Sequence, residues 1–159
     1  MMSPKRPGLR LDDQICFALY AATNAVTRAY KPLLAELGLT YPQYLVMLAL
    51  WQDSAMAGTD LAARLEVGPS AVTPLVDRLE SAGFVTRVRA ADRRVVMVAP
   101  TAAGLALEEK AVKAQRAVVR RTGLGARPLA DLRRELRALA DRVVAPDPSS
   151  RGAGRETRA

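Results

Sequence analysis

The stretch from Thr59 to Ala99 narrows the choice of fold more than any other part of the chain. Thr59 stands as the cap of a short helical segment, "DLAARLE", and Val67-Gly68 makes a tight turn. Pro69 then opens a second helix, "PSAVTPLVDRLESAG", with Gly83 as its stop. Two short helices joined by a glycine-containing turn are a helix-turn-helix. Two β-branched runs follow, Phe84 to Arg89 and Val95 to Ala99, around a polar tip from Ala90 to Arg94. That pattern predicts a β-hairpin. A helix-turn-helix followed directly by a basic hairpin is a winged helix. The predicted class is therefore mainly α with a small β-hairpin: a winged helix-turn-helix DNA-binding core plus N- and C-terminal dimerisation helices.

The flanking segments read as helices. From Leu11, apolar residues Ile15, Leu19, Ala22 and Val26 recur at helical spacing, and the helix is expected to reach about Lys31, where Pro32 kinks it or starts a new turn, with Gly38 stopping the "LLAEL" segment that follows. Thr40, Pro42 and Gln43 form a capping-box start for "YLVMLALW", which is apolar on all sides and so belongs in the centre of the domain. Thr101 caps a long helix, Gly123 to Ala126 breaks it, and a last helix carries a stripe of Leu129, Leu132, Leu136 and Leu139. The expected layout is a disordered basic arm (1–10), an N-terminal dimerisation and sensing region (11–40), the winged helix (41–100), C-terminal dimerisation helices (101–145) and a disordered tail (146–159).

Lys and Arg outnumber Asp and Glu by 24 to 16, a formal charge of +8 in 159 residues, which is the electrostatic footprint of a nucleic-acid binder. The chain has no histidine and one cysteine. Those counts remove His-based metal sites, Ser-His-Asp triads and intrachain disulfides, so neither a cofactor nor an enzymatic role is expected. The basic N-terminus has no apolar core of a secretory signal, and no apolar run reaches the ~18 residues of a membrane span. A cytoplasmic protein with a reduced thiol and no membrane association is expected.

A helix-turn-helix offers the first residues of its second helix to the DNA major groove. Here these are Ser70, Ala71, Thr73 and Pro74. Small side chains let the helix sit deep; hydroxyls bond phosphates or base edges, and Ala71 can touch a thymine methyl. Arg78, one turn on, is placed to reach a phosphate. At the wing tip, Asp92, Arg93 and Arg94 suit the minor groove, with the aspartate holding a guanidinium in position. A two-fold dimer would read a pseudo-palindromic operator in double-stranded DNA.

The lone thiol, Cys16, sits in "QICFALYAATNAVTRAY". Tyr20 and Tyr30 share its helical face, at about +40° and −40° around the axis. Fourteen residues of helix span about 21 Å, however, so Tyr30 cannot touch Cys16 of its own chain. It could meet the cysteine of an antiparallel partner. A helix N-terminus, which favours an anion, lies within about two turns of Cys16. The apolar neighbours Ile15, Phe17 and Leu19 would favour organic over inorganic peroxides.

The layout, with "DRLESAGFVTRVRAADRR" at its centre and an Asp-x-Arg wing (Asp92, Arg94), resembles the MarR family of bacterial transcriptional regulators. The Cys-Phe-Ala-Leu-Tyr string and "KPLLAELGLTYPQYLVMLALW" resemble its organic-hydroperoxide-sensing, OhrR-type branch, in the one-cysteine form. The resemblance spans roughly residues 11–142. It implies a dimeric repressor that holds DNA while Cys16 is reduced and releases it when an organic hydroperoxide, the inducer, oxidises Cys16 to a sulfenic acid. It implies that Tyr20, Tyr30 and Tyr41 steady the sulfur. With no second cysteine, a small thiol forming a mixed disulfide is one way to trap the sulfenate.

Three rival readings are open. One is a repressor of the same architecture that responds to a small phenolic or other ligand, with Cys16 as packing. The others are a thiol peroxidase, which would need an activating group near Cys16, and an architectural DNA-binding protein with no signal input.

Overall fold

The computed structural model describes residues 9–92 and 94–145. Most of the expected basic arm, Arg93 and the expected tail lie outside the described residues. The chain divides into two compact units, Met1–Val118 and Val119–Ala159.

Leu11–Asp13 forms a 3-10 turn, Gln14 is extended, and helix α1 runs over Ile15–Ala35. The helix thus begins four residues later than Leu11, which makes Cys16 its second residue. At the other end it continues through Pro32 instead of stopping near Lys31. Proline removes one backbone bond, but Tyr30 and Leu34 on either side are buried in the core, and that packing carries the helix on. It ends in a Schellman motif: Leu39 N–H donates to Leu34 O (3.0 Å), Gly38 N–H donates to Ala35 O (3.1 Å), and Gly38 takes φ +72°.

Helix α2 (Tyr41–Asp53) starts with the expected capping box. Gln43 N–H donates to Thr40 Oγ1 (3.4 Å), and Thr40 N–H donates to Gln43 Oε1 (2.8 Å). Val46, Met47 and Leu50 are fully buried. Leu48 is exposed, so the helix is central but not covered on all sides.

Strand β1 (Met56–Ala57) leads into helix α3 (Gly58–Arg64). The cap is Ala57, with no side-chain bond, and Thr59 lies inside the helix. The reason is tertiary: Ala57 pairs with Met97, which fixes where the chain leaves the sheet. Helix α4 covers Pro69–Ser81. Between α3 and α4 the left-handed residue is Glu66 (φ +57°), not Gly68, which is the extended N-cap of α4. Helix α4 ends in a second Schellman motif: Phe84 N–H donates to Leu79 O (3.0 Å), and Gly83 N–H donates to Glu80 O (2.9 Å) with Gly83 at φ +79°.

Strands β2 (Val85–Arg89) and β3 (Val96–Pro100) form the hairpin, in register from Val85 opposite Pro100 to Arg89 opposite Val96. With β1 they make a three-stranded antiparallel sheet in the order β1-β3-β2.

Helix α5 (Ala102–Arg121) is capped by Thr101, whose hydroxyl accepts from Gly104 N–H (3.1 Å). Gly104 is a close-approach position: a Cβ there would stand 2.0 Å from Phe84 O and 3.2 Å from Met47 Cε. Leu107, Ala111, Ala114 and Val118 extend the core along this helix. In the second unit, helix α6 (Ala126–Val144) follows the left-handed Gly123 and has no buried residue. Of its leucine stripe, Leu132 and Leu136 are exposed.

Candidate functional site

The second helix of the helix-turn-helix has two unlike faces. Val72, Val76 and Leu79, at helical spacing, are buried in the core. Ser70, Ala71, Thr73, Pro74 and Arg78 are all exposed. The sequence expectation placed Pro74 near the helix start. It lies in the second turn of α4, where its missing N–H leaves Ser70 C=O without the usual intrahelical donor.

In the wing, Asp92 makes two backbone contacts within the turn. Its carboxylate accepts from the backbone N–H of Arg94 (3.3 Å), and its carbonyl accepts from Val95 N–H (3.1 Å), so it shapes the turn. Arg94 is exposed. Arg93 lies outside the described residues. A cleft of about 480 Å³ separates α4 from the hairpin, lined among others by Thr59, Pro69, Thr73, Arg87, Arg94 and Val96.

Arg87, on β2, is a residue that sequence reasoning missed. Its guanidinium binds Asp77 (2.5 Å) and Glu80, both on α4, and Glu80 also accepts from the Arg87 backbone N–H (3.2 Å). The hydrogen bond with Asp77, and then that with Glu80, pushes the Arg87 pKa above its ordinary value. The wing is thereby tied to the recognition helix. The signal was present: Asp77 and Glu80 are three apart, on one face of a helix.

The four residues expected to sense oxidant lie in two separate places. Cys16 is a free, exposed thiol in the first turn of α1, and Tyr20 is 65% exposed. Ile15 and Val26 are exposed as well. Tyr30 and Tyr41 come together in the core with ring centroids 5.5 Å apart. Tyr44, absent from the expected set, completes the cluster, 5.2 Å from Tyr30 and 6.2 Å from Tyr41. Tyr41 and Tyr44, three residues apart at the start of α2, were the available signal.

Burial raises all three phenol pKa values. A hydrogen bond with Tyr44 partly offsets the rise at Tyr30. Charge repulsion from Tyr30 adds to it at Tyr41, and Tyr44 is raised furthest. Near neutral pH these phenols keep their protons and can donate hydrogen bonds. Because α1 is continuous from Ile15 to Ala35, Cys16 and Tyr30 of one chain stand about 21 Å apart along the axis.

The MarR family model matches residues 39–96. The organic hydroperoxide resistance transcriptional regulator of Bacillus subtilis strain 168 is 39% identical over 112 residues, covering 70% of this chain and 76% of that one. The chain belongs to the MarR family. It is a DNA-binding transcriptional regulator, and α4 with the β2–β3 wing is its winged helix.

Among solved structures, AbfR of Staphylococcus epidermidis bound to DNA is similar in both its reduced and its overoxidised form. Each has a TM-score of 0.69 and covers 89% of this chain and all of that one, at 26% and 27% identity. CouR from Rhodococcus jostii RHA1, bound to p-coumaroyl-CoA, has a TM-score of 0.73 at 26% identity and covers 84% of this chain and 96% of that one. Among the described residues of this MarR-family chain, no group of three or more Cys, Asp or Glu could hold a metal, and no helix is long and apolar enough to cross a membrane.

Proposed function

We propose that this regulator is a homodimeric repressor that senses organic hydroperoxides through Cys16 and releases a pseudo-palindromic operator when that sulfur is oxidised. The observation that carries this reading is the separation within one chain. The thiol and Tyr20 stand on an exposed helix face with Ile15 and Val26, while Tyr30, clustered with Tyr41 of α2, lies about 21 Å along the same helix. Two such chains with their first helices antiparallel bring each thiol to the partner's cluster and cover the apolar face. In the second unit, the exposed Leu132 and Leu136 of α6 offer a further apolar surface to another copy. Similarity to a hydroperoxide resistance regulator, and to AbfR in two oxidation states, supports the assignment of the signal.

In the reaction, the Cys16 thiolate attacks one oxygen of ROOH. The O–O bond breaks, the alkoxide leaves and takes up a proton as ROH, and the sulfur is oxidised to Cys-SOH. A small thiol can then condense with the sulfenic acid, forming a mixed disulfide and releasing water. On DNA, Ser70, Ala71, Thr73 and Pro74 enter the major groove, Arg78 contacts a phosphate, and Asp92, Arg93 and Arg94 form the wing tip in the minor groove.

A gel shift on the DNA upstream of the protein's own gene tests the reading. Cumene hydroperoxide should release the wild type, and Cys16→Ser should bind the same DNA but ignore the oxidant. Release of the serine variant by hydroperoxide would refute the sensor role, and equal potency of hydrogen peroxide would refute the organic preference.

One observation favours a second reading. A cavity of about 320 Å³ opens between α2 and α5, lined by Tyr44, Leu48, Glu108, Val112 and Gln115 among others. That size suits a small aromatic ligand, and CouR binds a phenolic acyl-CoA. Ligand-induced release of the Cys16→Ser variant would establish it.

A further inference from the structure

We propose that Trp51 is the positioning residue that couples the tyrosine cluster to the end of the DNA-recognition helix. This rests on the reading of Cys16 as the sensor. The structure contains an unbroken series of contacts between the two places. Tyr30 packs on Tyr44 with centroids 5.2 Å apart, and Tyr44 meets the edge of Trp51 at 6.4 Å. The indole N–H of Trp51 donates to Gly104 O across 3.0 Å, reaching the first turn of α5.

That turn is itself fastened to the C-terminus of α4. The Thr101 hydroxyl donates to Gly83 O (2.6 Å), and Thr101 N–H donates to Phe84 O (3.0 Å). Gly83 and Phe84 are the Schellman residues that end α4 and lead into the wing. Gly104 has no side chain to hold the two elements apart, since a Cβ would stand 2.0 Å from Phe84 O.

Close-packed elements of this kind shift as units instead of deforming. A change in how Tyr30 and Tyr44 pack therefore displaces the indole. The indole cannot move without losing its bond to Gly104 or carrying the first turn of α5 with it. That turn in turn carries the end of α4 and the root of the wing. Trp51 need not touch DNA or peroxide to set how strongly one affects the other.

Coupling along a path of contacts has to be measured as a free-energy link between two sites. The full chain is titrated onto the operator fragment before and after treatment with cumene hydroperoxide and a small thiol, and the ratio of oxidised to reduced Kd is the readout. Trp51→Phe keeps a ring and removes the N–H. It should bind the operator within about threefold of wild type when reduced, and oxidise at Cys16 to the same extent by intact mass. Its Kd ratio should nevertheless fall by about fivefold or more. If Trp51→Phe does not fold, Thr101 decides: Thr101→Val should lose the ratio and Thr101→Ser should keep it.

An unchanged ratio in Trp51→Phe, with the wild type responding normally, overturns the coupling and leaves the sensor reading intact. Equal weakening of both forms makes Trp51 merely structural and also overturns it. A wild type that ignores the hydroperoxide removes the sensor reading, and the coupling with it.

Discussion

Helices α1 and α4 each turn one face to solvent, and the two faces have opposite chemistry. On α4, Val72, Val76 and Leu79 are buried by the chain itself, and the exposed residues carry hydroxyl, methyl and guanidinium groups, with the exposed carboxylates of Asp77 and Glu80 held by Arg87. On α1, burial begins only at Tyr30, and the outward residues of the first half include Ile15, Tyr20 and Val26. The reading helix is finished within one chain and presents groups suited to a polyanion. Helix α1 is unfinished, because apolar residues of its first half stay exposed. The exposed face of α4 suits DNA, and on the function proposed above the exposed face of α1 meets a second copy.

The largest expected effect is on the finished side. Leu79→Ala should cost about 3 kcal/mol of folding stability. Urea unfolding followed by circular dichroism should give the same loss at every protein concentration. Ile15→Asp addresses the unfinished side, where burying an aliphatic side chain contributes about 2 kcal/mol. The substitution should leave the protomer folded, raise the dimer dissociation constant by about tenfold or more in sedimentation equilibrium, and weaken operator binding in proportion. If Ile15→Asp instead behaves like Leu79→Ala, the contrast between the helices is wrong.

A smaller change sharpens the DNA side. Arg94→Ala should lower the slope of log affinity against log salt by about 0.9 per chain if that guanidinium meets a phosphate. An unchanged slope would place the wing tip away from the backbone. The smallest effect concerns the buried half of α1 and needs alkaline solution. The folded state raises the phenol pKa values of Tyr30, Tyr41 and Tyr44 above the ordinary 10.0. Above that pH the unfolded chain has released protons that the folded chain still holds. Stability should therefore be full below about pH 10 and decline as pH rises toward the raised values. Tyr44→Phe, having no proton to lose there, should flatten that decline in denaturation curves taken from pH 8 to 11.

The sequence made the winged helix legible because its markers are local. Thr40 with Gln43, Pro69, and the glycines that end α1 and α4 each act within four residues, and each appears in the structure as read. What escaped depends on distant partners. Strand β1 is two residues long and exists because Met56 and Ala57 pair with Val98 and Met97, a contact with no periodicity to announce it. The same pairing displaced the start of α3 from Thr59. Pro32 reads as a kink or a new turn because its cost is local, whereas the burial of Leu34 that outweighs it is tertiary.

The candidate site divides along the same line. Exposure of Ser70, Thr73 and Arg78 follows from helical spacing alone. The addition of Tyr44 to the phenol cluster, and the tie from Arg87 to α4, required the fold.

Trp51 is the sole indole in the chain, and the ring beside it belongs to Tyr44. Excitation absorbed by a phenol passes readily to an indole at 6.4 Å, so light taken up by the clustered phenols should leave the folded protein as tryptophan emission. Emission from those three tyrosines should rise when the rings part. The spacing of the cluster can therefore be followed in solution by its own colour, with no label attached.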